Sequence, residues 1–231
     1  MVDSSHLRDR LMARLGGSGA AVVVAIVTMA VGACTTTVTG QAVRAFGQSP
    51  TTAKPISARD LLLHDGASTP LGPATGAPVG DNYFTSARPS ECSAAILFER
   101  SPLRPAGAKD HAESSYKFDS QALYAESIDV YGNDLNTQDA VWNGFSAVSN
   151  CHGDAVGISP SGEYAPMRLS YFATPSDGVL VWTMTRPDWN CDYGLAVVPR
   201  VALVMAVCDF KPGFPMADWA SKRRARLDSR A

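Results

Sequence analysis

Four short stretches of the chain hold the residue types that reaction chemistry uses. His111-Ala112-Glu113 repeats the opening of the zinc deaminase signature, in which the histidine binds metal and the glutamate moves a proton. No Pro-Cys-x-x-Cys follows it, so the other ligands are missing. His152-Gly153-Asp154 could offer a metal pair or a base with its orienting carboxylate, but it sits in a turn-like stretch beside Cys151, where a solvated loop is the plainer reading. His64-Asp65 follows a short apolar segment and reads as a helix end rather than a dyad. Gly157-Ile158-Ser159-Pro160-Ser161 misses the nucleophile elbow at its last residue, where G-x-S-x-G has glycine. The acidic residues are scattered over polar stretches, and their spacing does not argue for the carboxylate pair of a glycosidase. With no catalytic, metal or cofactor motif, the leading expectation is a binding or sensing protein. The alternative is a cell-envelope hydrolase or lipid-acting enzyme whose site is dispersed along the chain.

The cysteines carry a firmer message. Arg8, Arg10 and Arg14 precede the apolar run Ala20 to Val31, and Val31-Gly32-Ala33-Cys34 closes it. A basic start, a short apolar run and small residues before a cleavage point make a secretory signal. At 1.5 Å per residue the run falls short of the roughly 30 Å of hydrocarbon that a spanning helix must cross. Val-Gly-Ala-Cys resembles a bacterial lipobox, in which the cysteine is acylated and becomes the mature N-terminus; an uncleaved anchor is the alternative. Five cysteines leave one unpaired in an exported protein, and Cys34 is the membrane-proximal one. The residues after it, to Pro55, are rich in Thr, Ser, Gly and Pro and read as a flexible tether. This gives a signal over 1–33, a tether over 34–55 and a folded domain over 56–231, held outside the cytoplasm by a lipid in the cell membrane. Past residue 33 the chain keeps 17 basic and 20 acidic residues, a balance without the basic footprint of nucleic-acid binding.

The element that must organise this domain is Cys191 to Cys208, CDYGLAVVPRVALVMAVC. Folding it about Pro199-Arg200 sets Tyr193 against Ala206, Leu195 against Val204, and Cys191 against Cys208, as a hairpin stapled at its open end requires. Cys92 is then left to pair with Cys151. In an oxidising compartment the two bridges contribute about 3 and about 4 kcal/mol through loop closure. Tyr193, Leu195, Val197, Ala202 and Val204 share one face; Ala196, Val198, Val201, Leu203, Met205 and Val207 share the other. Both faces are apolar, so the hairpin belongs at the centre of a sheet, with helices on one face and more core or a greasy groove on the other.

The rest of the chain supplies what covers it. Ser57 stands as N-cap of a short helix through Leu61-Leu62-Leu63, and 64–89 is too rich in Gly and Pro for long elements. Ser93 to Phe98 forms a short helix pinned by Cys92. Two short strands occupy 115–131, the second from Ala122 to Tyr131. Asn133 to Thr137 supplies a turn and cap for a helix whose apolar stripe, Ala140, Val141, Phe145 and Val148, leads to Cys151. Arg168 to Ala173 and Val179 to Met184 flank Pro175-Ser176-Asp177-Gly178 as a hairpin, which sets Tyr171 opposite Trp182. Ala217-Asp218-Trp219 opens a last helix whose basic run, Lys222 to Arg226, reads as a solvated face. The fold class is α+β, a mostly antiparallel sheet with helices packed on it.

Lipobox, Thr-rich tether, Leu61-Leu62-Leu63, Pro89-Ser90-Glu91-Cys92, a helix ending in Cys151 and the Cys191 to Cys208 hairpin together resemble the PknH-like extracellular sensor domain family, in its free-standing actinobacterial lipoprotein form. The resemblance covers roughly 57–231. It implies an α+β domain with disulfides Cys92 with Cys151 and Cys191 with Cys208, and a cleft for an unidentified ligand. No kinase signature accompanies it. The expected partners are the membrane, through the N-terminal lipid, and a small apolar or amphipathic ligand or an envelope protein. Tyr171 and Trp182, each a large ring with a polar handle, are the expected groove residues, against the plainer reading that both are core. Cys34→Ala is expected to leave a slower-migrating, unacylated precursor and to move protein out of the membrane fraction. Unchanged migration and membrane retention would count against acylation.

Overall fold

The computed structural model describes residues 55–80 and 83–231. The signal over 1–33, Cys34 and all but the last residue of the tether over 34–55 lie outside the described residues. In chain order come α1 (Ala58–Leu61), β1 (Ser68–Thr69), β2 (Gly72–Pro73), β3 (Thr75–Ala77), β4 (Ser86–Arg88), a 3-10 turn (Ser90–Cys92) and α2 (Ser93–Ile96). Then follow β5 (Ala108–Lys117), β6 (Leu123–Tyr131), α3 (Thr137–Ser149), β7 (Asp154–Ser159), β8 (Gly162–Glu163), β9 (Met167–Ser176), β10 (Val179–Arg186), β11 (Trp189–Val198), β12 (Val201–Asp209) and α4 (Met216–Asp228). One sheet orders its strands β3-β5-β6-β12-β11-β10-β9-β7-β4, with β8 on β7, and its pairings are antiparallel.

The β11–β12 hairpin lies in the middle of this sheet with the register read from the sequence: Tyr193 pairs with Ala206, Leu195 with Val204 and Cys191 with Cys208. Both bridges form, Cys92 with Cys151 and Cys191 with Cys208. The two apolar faces are covered differently from expectation, because helices lie on both. On one side α2 and α3 enclose Leu180, Trp182, Tyr193, Leu195 and Val204; on the other α1 and α4 enclose Ala196, Val198, Leu203, Met205 and Val207. Gly194, in the centre of β11, makes the second packing possible. A Cβ there would come within 3.0 Å of the Met205 and Met216 side chains, so glycine lets α4 settle close to the sheet.

Local signals held where they were strongest. Asn136 caps α3, its side chain accepting from the Asp139 amide at 3.1 Å. Ser57 precedes α1 but makes no capping bond; the Ala58 amide instead donates to Asp110 Oδ2 at 2.8 Å, a residue that chain folding brings from β5. The first of the two strands expected over 115–131 starts earlier, at Ala108, and so takes in His111-Ala112-Glu113.

The basic run of α4 is not uniformly solvated. Arg223 is 3% exposed and forks onto Glu126, which is fully buried: Nε donates to Oε1 at 2.7 Å and a terminal nitrogen to Oε2 at 2.8 Å. The same guanidinium donates to the Leu61 carbonyl at 3.0 Å, and the Leu63 amide donates to Glu126 Oε2 at 3.3 Å. Trp219 Nε1 donates to Tyr124 Oη, which donates in turn to Glu126 Oε1. Three segments, the 61–63 stretch, β6 and α4, are thus joined through one carboxylate. Removing one member of a buried, fully bonded pair leaves an uncompensated charge, whereas replacing both with apolar groups restores packing. Arg223→Met is expected to cost about 3–5 kcal/mol in urea unfolding, and Glu126→Met with Arg223→Met to recover most of it. A single variant as stable as the wild type would contradict this account.

Candidate functional site

The groups that the sequence offered for chemistry are spread over the fold and tied up in structural contacts. His64 is exposed, and Asp65 accepts from the Gly76 amide at 2.6 Å to close a loop. His152 is exposed at the end of α3, while Asp154 pairs with Arg168 on the neighbouring strand. Ser159 Oγ lies 2.8 Å from Ser161 Oγ and accepts from the Ser161 amide, and among the described residues no hydrogen bond joins it to a histidine. His111 and Glu113 do share a face of β5, with Nε2 to Oε1 at 3.1 Å. The buried carboxylate of Asp129 takes the other ring nitrogen at 2.8 Å, and Arg104 forks onto Asp129 at 2.5 and 2.9 Å. Ser127 donates to Glu113 at 3.1 Å. This cluster fastens the 101–107 loop to the sheet, and Arg104 stands where a metal ion would have to sit.

The expected pairing of Tyr171 with Trp182 needs correction. The hairpin turns tightly at Asp177-Gly178, with Ser176 paired to Val179, and one register shift between Val179 and Val181 then leaves Trp182 facing Phe172 and Thr183 facing Tyr171. Bulges of this kind add a residue to one strand without a mark in the sequence. Trp182 is 1% exposed. Its ring stacks on Tyr193 with centroids 5.2 Å apart and planes 4° from parallel. Trp182 Nε1 donates to the Ala95 carbonyl at 2.8 Å and Tyr193 Oη to the Ile96 carbonyl at 3.1 Å, satisfying two carbonyls that the end of α2 leaves open. Tyr171 is 53% exposed and lines a shallow hollow with Asp192, Phe214 and Met216. Trp182 also lines this hollow, but its ring packs with Tyr193 in the core on the other face of the sheet.

A cavity of about 290 Å³ does open beside the Cys191–Cys208 bridge, one ring forward of Trp182. Its floor is Ile96, Met167, Cys191, Tyr193, Ala206 and Cys208. Tyr83, Phe84 and Phe98 come from the chain before and after the first bridge, and Tyr164, Trp189 and Phe210 from loops and strand ends. Tyr83 lies against Phe98 with ring centroids 5.0 Å apart, Phe84 against Tyr164 at 5.1 Å, and Trp189 against Phe210 at 4.6 Å. Gly157 allows the second contact, since a Cβ there would fall 2.6 Å from the Phe84 ring. Burial drives the Tyr83 phenol well above its usual range, and burial, with Tyr83 and Asp192 behind it, does the same to Tyr193. Both therefore act as neutral hydroxyls. Arg186, at the end of β10, is the charged side chain among the described lining residues.

An aromatic, largely neutral hollow suits the ring faces and chains of an apolar molecule, and its described lining residues include no acid–base pair. Asp192 is raised by burial, against the hydroxyl of Thr183 and the Phe214 backbone, but it lines the other hollow and has no histidine beside it. The sequence marked Cys191 and Cys208 as a bridge and Tyr193 as part of an apolar hairpin face, but none of the cavity residues as a ligand site. Tyr83-Phe84 inside the Gly/Pro-rich passage, and Phe210 just past Cys208, were the available signals, being large rings where a loop needs none.

The fold is shared with a solved structure: the crystal structure of the extracellular domain of PknH from Mycobacterium tuberculosis superposes with a TM-score of 0.56 over 76% of this chain and 98% of that one, at 12% identity. The chain is 61% identical over 217 residues to proteins named as lipoprotein LprH in Mycobacterium tuberculosis and Mycobacterium bovis, covering 93% of this chain and 95% of theirs. It belongs to the LprH lipoprotein family. No family model matches it.

Trp182→Ala is expected to cost about 3–5 kcal/mol, as loss of a large core ring does, and Tyr171→Ala to stay within about 0.5 kcal/mol of wild type. Chemical unfolding monitored by circular dichroism separates the two. The reverse order would put Tyr171, not Trp182, in the core.

Proposed function

We propose that this chain is a lipid-anchored, extracytoplasmic binding lipoprotein that takes a small apolar or amphipathic molecule into the cavity beside Cys191–Cys208 and leaves it chemically unchanged. In this reading the signal over 1–33 is removed, Cys34 carries the lipid, the tether over 34–55 spans the distance from the membrane, and 56–231 is the binding domain. The observation that carries it is the aromatic, mostly apolar lining of the 290 Å³ hollow, in a family named for lipoproteins and a fold shared with the extracellular domain of PknH. Ligand sites in proteins are mostly concave and apolar with a few polar anchors, and Tyr83, Tyr164 and Arg186 are such anchors. Cavity residues held by two disulfides are pre-positioned, which lowers the ordering cost of binding. Catalysis would need a nucleophile or an acid–base pair facing the same space, and the lining supplies neutral phenols and a guanidinium instead.

The domain should bind a neutral apolar fluorophore such as Nile red saturably at one site, with loss of binding in Leu123→Trp, which narrows the cavity at an incompletely buried position, and little change in melting temperature. Organic extracts of the purified protein, read by mass spectrometry, should contain one class of apolar compound in intact form. Absence of saturable binding together with empty extracts would sink this function.

A further inference from the structure

We infer that the natural ligand is a single-chain amphiphile with an anionic head group, and that Arg186 reads that head. The inference rests on the cavity being the binding site. A cavity of 150 Å³ holds benzene, so one of 290 Å³ holds about a dozen carbon atoms. That is one chain of moderate length or a two-ring skeleton, and not the paired chains of a diacyl lipid. The floor over Ile96, Met167 and Tyr193 receives the apolar part.

The polar end is set by Arg186. It lies on the same strand face as Trp182 and Met184, and its backbone pairs with Trp189 where the β10–β11 hairpin begins its turn. Its side chain is 20% exposed, so the guanidinium is held against the aromatic wall rather than extended into water. Its partner among the described residues is Asp188, whose Oδ1 lies 3.0 Å from Nε. That contact is an ion pair in distance alone: the buried Nε–H finds no acceptor along its own direction. Asp188 is 72% exposed, and an ion pair with so much water around one member contributes little. Arginine has five N–H donors in a planar fork that matches a carboxylate or phosphate. With its Nε–H unsatisfied and a weak ion pair for a partner, Arg186 can turn that fork to an oxyanion at the cavity wall. A neutral head leaves the donors as they are, and a cationic head is repelled.

Titration calorimetry with four ten-carbon probes tests this: decanoate, decyl phosphate, 1-decanol and decyltrimethylammonium, each below its aggregation concentration. Decanoate or decyl phosphate should bind at least tenfold more tightly than decanol, with the tighter of the two naming the head group, and the cationic probe should bind most weakly. The preference should shrink as salt is raised. Arg186→Gln should abolish the preference, bringing decanoate and decyl phosphate down to the affinity that decanol has for the same variant, and Asp188→Asn, which removes the competing carboxylate, should strengthen anion binding without affecting decanol. Equal binding of decanol and both anions to the wild type overturns the head-group assignment and leaves the cavity reading standing. Failure of all four probes to bind, when the protein is folded by circular dichroism, overturns the cavity reading itself.

Discussion

A hairpin that is apolar on both faces cannot lie at a surface, and the remainder of the fold answers that constraint. Val197 and Val198, or Val204 and Leu203, point to opposite sides of one sheet, and both sides must be kept from water. Burying a Val or Leu side chain contributes about 1.5–3 kcal/mol, so leaving either face open would forgo a large share of the core. Two short helical segments on one side and two on the other meet the need, with β5–β6 and β9–β10 extending the sheet on either hand.

The neighbouring strand β6 does the opposite work, carrying a buried carboxylate toward each side. Glu126 meets Arg223 of α4 and Asp129 meets Arg104 of the loop before β5. Buried ion pairs add little net stability over an apolar core, because two charges must first be desolvated, but they exclude arrangements in which the charges go unpaired. Arg223 has one seat in this fold, and taking it fixes how far α4 lies along the sheet and where the 61–63 segment must run. The greasy hairpin supplies cohesion and the forks supply registry.

The cavity is where the covering of the hairpin stops. α2 is a single turn, and the Trp182–Tyr193 stack that seals against its carbonyls leaves the wall beyond Tyr193 without a helix. Rings from five separated segments, at 83–84, 98, 164, 189 and 210, stand around that gap in place of a helix. Loop-borne side chains are freer to differ between relatives than a packed helix face, which suits a position where recognition is needed. The Cys191–Cys208 and Cys92–Cys151 bridges flank the gap and hold the strands and the loop that carry those rings.

The sequence by itself determined the central hairpin, its register and its bridge, because eighteen residues with one turn and alternate pairing leave a single way to bring Cys191 to Cys208. It determined α3 and its cap for the same reason: periodicity and Asn136 are local signals. The α+β class and the second bridge followed by elimination. Only the tertiary structure decided that Trp182 is closed into the core, since that depends on Tyr193 of the next strand and on the Ala95 carbonyl of α2, and which of four neighbouring basic residues in α4 is buried, since that depends on Glu126 from ninety-seven positions away. The wall of the cavity was hidden for the same physical reason. Tyr83, Tyr164, Arg186 and Phe210 are distant in the chain and unremarked by any period, and they become neighbours because a sheet laid down by long-range pairing brings their loops to one end.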